Sequence, residues 1–191
     1  MTDEYLFRTM ATERLDLVKI SPQHIDDMFS YASDEETVRY MSWPRHKNKV
    51  ETAHFIDLAL ELYEGEMHYD WAIWHREDKK MIGTIGLHGL DREINGAEIG
   101  YIIGKPYWGR GLTAEAGHPV LQFCFNDLNL SIMKAYCDPR NRGSERVMQK
   151  LGMIYGGEEP YQLVKQEEKV MYRWYYCTAP SFAQSQDSPQ L

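Results

Sequence analysis

The segment "EIGYIIGKPYWGRGLTAEAG", Glu98 to Gly117, restricts the fold of this chain more than any other. Its first half is β-branched and extended, and reads as a strand. Its second half opens a helical stripe of Leu112, Ala116, Val120 and Phe123. Between them lies a short turn holding Pro106, Gly109 and Gly111. A strand handed so directly to a helix belongs to an α/β sheet. The first N–H groups of a helix lack intrahelical acceptors, and the helix dipole is positive there. Glycines let a ligand approach that backbone, and Arg110 adds charge. Together these make a site for phosphate or pyrophosphate. The same glycines also fit a tight connection needed only for its shape, because GxG alone is a weak motif.

Two known phosphate loops do not fit. No GxxxxGK[ST] run occurs, which argues against a P-loop NTPase. Gly109-x-Gly111 is followed by Ala114, a permitted dinucleotide-binding variant, but that fingerprint belongs to the first turn of a parallel βαβ unit. Here four strands precede the turn. Leu15 and Leu17 alternate in a strand over 14–20. Ser21 and Pro22 then open a helix with Ile25, Met28 and Phe29 on one face. "ETVRYMSWP" predicts a short second helix ending before Pro44. "KVETAHFIDLALELYEG" predicts a longer one with Phe55, Leu58 and Leu62 on one side and Gly65 as its stop. Strands follow at 68–75, 80–90 and 97–104, the first two joined by a turn at "EDKK". After the helix of about 110–127 come a strand at 131–138, a helix at 142–152, a strand at "MIYGGE" and a last strand at 168–177. Residues 1–11 read as a loose lead-in, and the Pro- and Ser-rich 179–191 as a disordered tail. The expectation is a single domain over 1–178, with one mixed α/β sheet.

A net charge of −8 argues against general nucleic-acid binding, which needs a basic face. Cys124, Cys137 and Cys177 are far apart and form no CxxC, so they read as free thiols of a reducing compartment. No apolar run approaches the roughly 20 residues of a membrane span, and no signal-peptide pattern is visible. The cytoplasm is therefore the expected location.

Four segments resemble the GCN5-related N-acetyltransferases, in particular the branch of bacterial ribosomal-protein N-terminal acetyltransferases. They are "TERLDLVKI", "AEIGYIIGKPYWGRGLTAEA", "NRGSERVMQKLGM" and "VMYRWYY", in the family's order over residues 12–176. The wider family's leading Gln/Arg is missing from "PYWGRG", and the Tyr-Trp-Gly-x-Gly form agrees with that branch. The resemblance implies a mixed, mostly antiparallel sheet splayed between the fourth strand (97–104) and the fifth (131–138), with helices on both faces. It implies acetyl-CoA as co-substrate and no metal. The backbone from Trp108 through Gly109, Arg110, Gly111 and Leu112 to Thr113 would grip the pyrophosphate, and backbone groups of Ile102 and Ile103 the pantetheine. Asn141 would contact the same arm, beside its local role as cap to Ser144.

Acetyl transfer to an amine needs a proton acceptor, a held oxyanion and a proton for the leaving thiolate. In this family the amine attacks directly, without an acetyl-enzyme. Glu98, on the splayed strand, is the candidate base. Glu115 reads as a local hydrogen-bonding group, and His88 and Asp91 as candidates to border the acceptor. Many relatives place a Tyr seven residues after the Asn; here Met148 stands there and cannot donate a proton. Ser144 is carried over from the branch as the acid, with Tyr101 and Tyr172 as fallbacks. Pro119 is expected to bend its helix while leaving the first turn intact. Trp43, His46, Phe55 and Tyr63 are candidates to line the acceptor site. The acceptor is an amine, either a protein N-terminus or a small molecule, and the protein a monomer or homodimer. The missing Tyr keeps a second reading open, a non-catalytic acyl-CoA binder used for sensing or assembly.

Overall fold

The computed structural model describes residues 7–64, 69–161 and 170–186. Two short N-terminal strands, β1 (Met10–Ala11) and β2 (Leu15–Lys19), are followed by helices α1 (Ile25–Ala32) and α2 (Lys49–Glu64). Then come β3 (Tyr69–His75), β4 (Lys80–Asp91), β5 (Gly96–Ile103) and α3 (Leu112–Asn126). The chain closes with β6 (Ile132–Cys137), α4 (Arg142–Lys150), β7 (Ile154–Tyr161), β8 (Val170–Thr178) and α5 (Ala179–Gln186). The eight strands form one sheet in the order β1-β2-β3-β4-β5-β6-β8-β7. Every pairing is antiparallel except β5 with β6, which α3 connects. This is the expected mixed, mostly antiparallel sheet. No described helix is long and apolar enough to cross a membrane.

Strand alternation divides the core in two. Trp71, Ile73 and Ile85 face one side, where Leu112, Ala116, Val120 and Phe123 of α3 cover them. Ala72, Met81 and Ile102 face the other, beneath Met28 of α1 and Ile56 of α2. Helices therefore cover both faces.

Four expectations are corrected. The lead-in contributes a strand, because Met10 and Ala11 pair with Leu17 and Asp16. "ETVRYMSWP" is a run of turns and not a helix. Asp34 caps Thr37 through its N–H and hydroxyl, and after the Val38-to-Asp34 bond the Arg39 and Met41 amides reach back only three residues. In α2 the buried side chains are Thr52, Ile56, Ala59 and Tyr63, whereas Leu58 and Leu62 are 48% and 42% exposed. The helix is rotated so that Ile56, Ala59 and Tyr63 pack against α1 and the sheet. Lastly, the tail begins as helix α5: Thr178 and Ser181 exchange backbone and side-chain hydrogen bonds at its start, and Phe182 is buried against Phe125. Gly65, the expected stop of α2, and the end of the tail (187–191) lie outside the described residues.

Candidate active site

The sheet splits between β5 and β6. Their parallel pairing covers only Gly96–Ile132, Ala97–Met133 and Glu98–Lys134. Beyond Glu98, β5 continues along β4 to Ile103, while β6 runs on beside β8. A cleft of about 670 Å³ opens there, lined by Tyr101, Ile102 and Ile103, by the turn after them and by the start of α4. Gly104 N–H donates to Ile82 O. Alternation from that bond turns the backbone of Ile102 toward β4 and those of Tyr101 and Ile103 toward the opening. Of the two isoleucines, Ile103 thus presents its backbone to the cleft, and its carbonyl accepts from Trp108 Nε1 at 2.7 Å. Both side chains are buried core.

The turn is built to bring backbone to the cleft. Gly109 and Gly111 have φ of +74° and +79°, a conformation that costs an L-residue with a Cβ about 1–2 kcal/mol. Gly111 is the N-cap of α3, so the first helical amides, Leu112 to Ala114, adjoin the cleft. The side chains of Leu112 and Thr113 are buried, leaving their backbone for any ligand. The first turn is intact, with Glu115 N–H donating to Gly111 O at 3.0 Å, and α3 continues past Pro119 to Asn126.

Several contacts fix the loop from outside. Glu115 accepts from Thr12 Oγ1 (2.6 Å), Arg14 N (2.9 Å) and Arg14 Nε (2.7 Å), and Arg14 Nη1 donates to Arg110 O at 3.2 Å. Burial by itself would push the Glu115 carboxyl up, but these donors and the Arg14 charge outweigh it and hold its pKa below the ordinary value. Tyr107 Oη donates to Asp78. The exposed Arg110 guanidinium lies 5.3 Å from the Tyr107 ring centre. Across the cleft, Arg142, Arg146 and Lys150 of α4 line the same space. Sequence reasoning missed this basic edge, although its spacing of four residues marks one helical face.

Asn141 Oδ1 accepts from Ser144 N–H at 3.1 Å, the capping bond expected from sequence. Ser144 lines the cleft, and its Oγ lies 3.0 Å from Tyr101 Oη, which also donates to Ser144 O. Met148 is fully buried. Tyr172, the other fallback donor, is buried outside the cleft lining, with no hydrogen-bond partner for its hydroxyl among the described residues. Glu98 stands apart from the cleft lining, where the β5–β6 pairing ends. Burial pushes its carboxyl pKa up, and Glu159 adds to this, while His88 and Lys134 pull it down. The segment after α1 reaches the cleft with Thr37, Tyr40 and Met41. Trp43, His46 and Phe55 instead pack on one another, and Tyr63 is buried, its hydroxyl donating to Asp70 O.

A family model described as an acetyltransferase (GNAT) domain matches residues 14–154. The chain is 31% identical over 147 residues to the uncharacterized N-acetyltransferase YoaA of Bacillus subtilis, covering 77% of this chain and 83% of that one. A solved structure of a putative ribosomal-protein-serine acetyltransferase from Vibrio cholerae has a TM-score of 0.79 at 21% identity, over 90% of this chain and 97% of that one. The microcin C7 self immunity acetyltransferase MccE, in complex with acetyl-CoA and AMP, has a TM-score of 0.77 at 16% identity, over 87% and 93% of the two chains.

Proposed function

The chain belongs to the GNAT acetyltransferase family, and from that premise we propose that it moves the acetyl group of acetyl-CoA to a primary amine by direct attack in a ternary complex. The observation that carries this reading is the meeting of two features in one cleft. One is a strand edge left open where β5 and β6 part. The other is a glycine turn at the start of α3. The open edge suits an extended pantetheine arm, and the helix start suits pyrophosphate. Trp108 to Thr113 would hold the pyrophosphate through backbone N–H groups, with Arg110 and the basic edge of α4 balancing the phosphates. Ile103 would bond the pantetheine beside Ile102, and Asn141 would contact the same arm while capping α4.

Direct attack fits the state of the thiols. Cys124, Cys137 and Cys177 are all buried, and burial pushes Cys137 to about 11, Cys177 to about 12 and Cys124 higher still. None presents a thiolate as nucleophile near neutral pH. In the proposed step the amine nitrogen bonds the thioester carbon, its proton passes to Glu98, the C–S bond breaks, and Ser144 supplies a proton to the sulfur. Tyr101 would hold the Ser144 hydroxyl and return its proton, taking one up in turn from water in the cleft that it lines. The acceptor is a protein N-terminus or a small amine. The buried free thiols suit the cytoplasm. A monomer or a homodimer would serve equally.

The test is thiol release from acetyl-CoA against a panel of N-terminal peptides, polyamines and amino sugars. Acceptor-dependent release with intersecting initial-rate lines is expected. Parallel lines would indicate an acetyl-enzyme, and tight acetyl-CoA binding without release would establish the sensing or assembly reading.

A further inference from the structure

We propose that His88, oriented by Asp70, relays the acceptor's proton from Glu98 to solvent. The inference rests on the acetyl-transfer reading and adds two residues to it. Asp70 pairs with Gly86 and Gly86 with Gly100, while His88 lies directly opposite Glu98. Residues two apart on a strand share a face, so Asp70, His88 and Glu98 form a row across β3, β4 and β5 at the vertex of the split.

The two glycines make room for that row. A Cβ on Gly86 would stand 1.6 Å from Asp70 Oδ1, and one on Gly100 would stand 2.9 Å from His88 Nε2 and Cδ2. The carboxylate and the imidazole therefore lie over positions that any other residue would fill. His88 Nε2 is 4.0 Å from Asp70 Oδ1. The Asp70 side chain is 13% exposed and that of His88 51%, and Glu98 is half-buried, so the imidazole is the most exposed member of the row. The charged or titratable groups felt by Glu98 are His88 from β4, Lys134 and Tyr136 from β6, and Glu159 and Tyr161 from β7. Of these, the imidazole alone has two ring nitrogens, so that one can take up a proton while the other gives one up.

The proton balance is simple. The amine gives its proton to the Glu98 carboxylate as the N–C bond forms. Glu98 passes it to a ring nitrogen of His88, and the imidazolium, steadied by Asp70, releases a proton to water.

The test uses the full chain with His88→Ala and Asp70→Asn. His88→Ala is expected to lower kcat by at least about tenfold, with the KM for acetyl-CoA unchanged and part of the rate restored by free imidazole. Asp70→Asn should lower kcat less and displace the pH–rate limb. The Glu98 carboxyl, followed by NMR, should titrate at higher pH in His88→Ala, because a cation that lowers its pKa has gone. A parental kcat in His88→Ala, or a loss that imidazole does not relieve, overturns the relay. If the parent binds acetyl-CoA but acetylates no amine, the transfer reading falls, and an unmoved Glu98 titration in His88→Ala separately overturns the pairing.

Discussion

At Gly111 the backbone itself carries the function proposed for the turn. With φ at +79°, Gly111→Ala imposes about 1–2 kcal/mol of strain, although the nearest atom to its added Cβ, Arg14 Nη2, is 3.9 Å away. The strain is relieved by moving the first amides of α3, so we expect weaker acetyl-CoA binding by calorimetry with the fold retained. Glu98→Gln tests the base. The parent carboxyl is raised above its ordinary value of 4.5 by burial, so the rate should climb with pH through a limb above that value as the carboxylate forms. The variant should lose that limb and about 100-fold in kcat; a profile matching the parent would remove Glu98 from the mechanism. Ser144→Ala separates chemistry from structure unusually well. The α4 cap uses the Ser144 N–H and survives the change. A fall in kcat with unchanged acetyl-CoA affinity is expected, and an unchanged kcat would dismiss Ser144 as the acid.

Elements are joined by contacts that no local pattern reveals. Glu115 ties α3 to the residues before β2 across about a hundred residues of sequence. Its folded pKa is depressed. Its contribution is therefore present above the ordinary pKa of 4.5 and is lost as pH falls through the lower folded value. Glu115→Gln should lower Tm at neutral pH and flatten the dependence of Tm on pH on the acid side; parallel parent and variant curves would contradict this. Helix α5 gives a second prediction. Deleting the residues after Thr178 exposes the surface that Phe182 covers, at a cost of about 2 kcal/mol. Thermal denaturation should show a lower Tm, and an unchanged Tm would mean that α5 adds nothing to stability. The Pro- and Ser-rich composition concealed this helix, because a Thr-x-x-Ser cap and one buried aromatic are a small part of a polar segment. The turns over "ETVRYMSWP" misled in the opposite way: the segment reads as a short helix ending before Pro44, where Asp34 captures the Thr37 backbone.

Across the whole molecule, the sheet order and the parting of β5 from β6 create the cleft. The sequence by itself determined the strands from 69 to 178, apart from a few end residues, because alternation with period two and the turn residues between strands are written in neighbouring positions. It also determined the Asn141 cap and the glycine turn, since both arise within a few residues. Only the tertiary structure decided which isoleucine turns its backbone to the cleft and that Leu58 and Leu62 face outward. It alone brought Arg142, Arg146 and Lys150 to the turn, and set Asp70 and His88 in a row with Glu98. These relations depend on strand register, helix rotation and pairings between residues far apart in the chain. Local periodicity tells which residues can share a face, while packing between elements decides what that face meets.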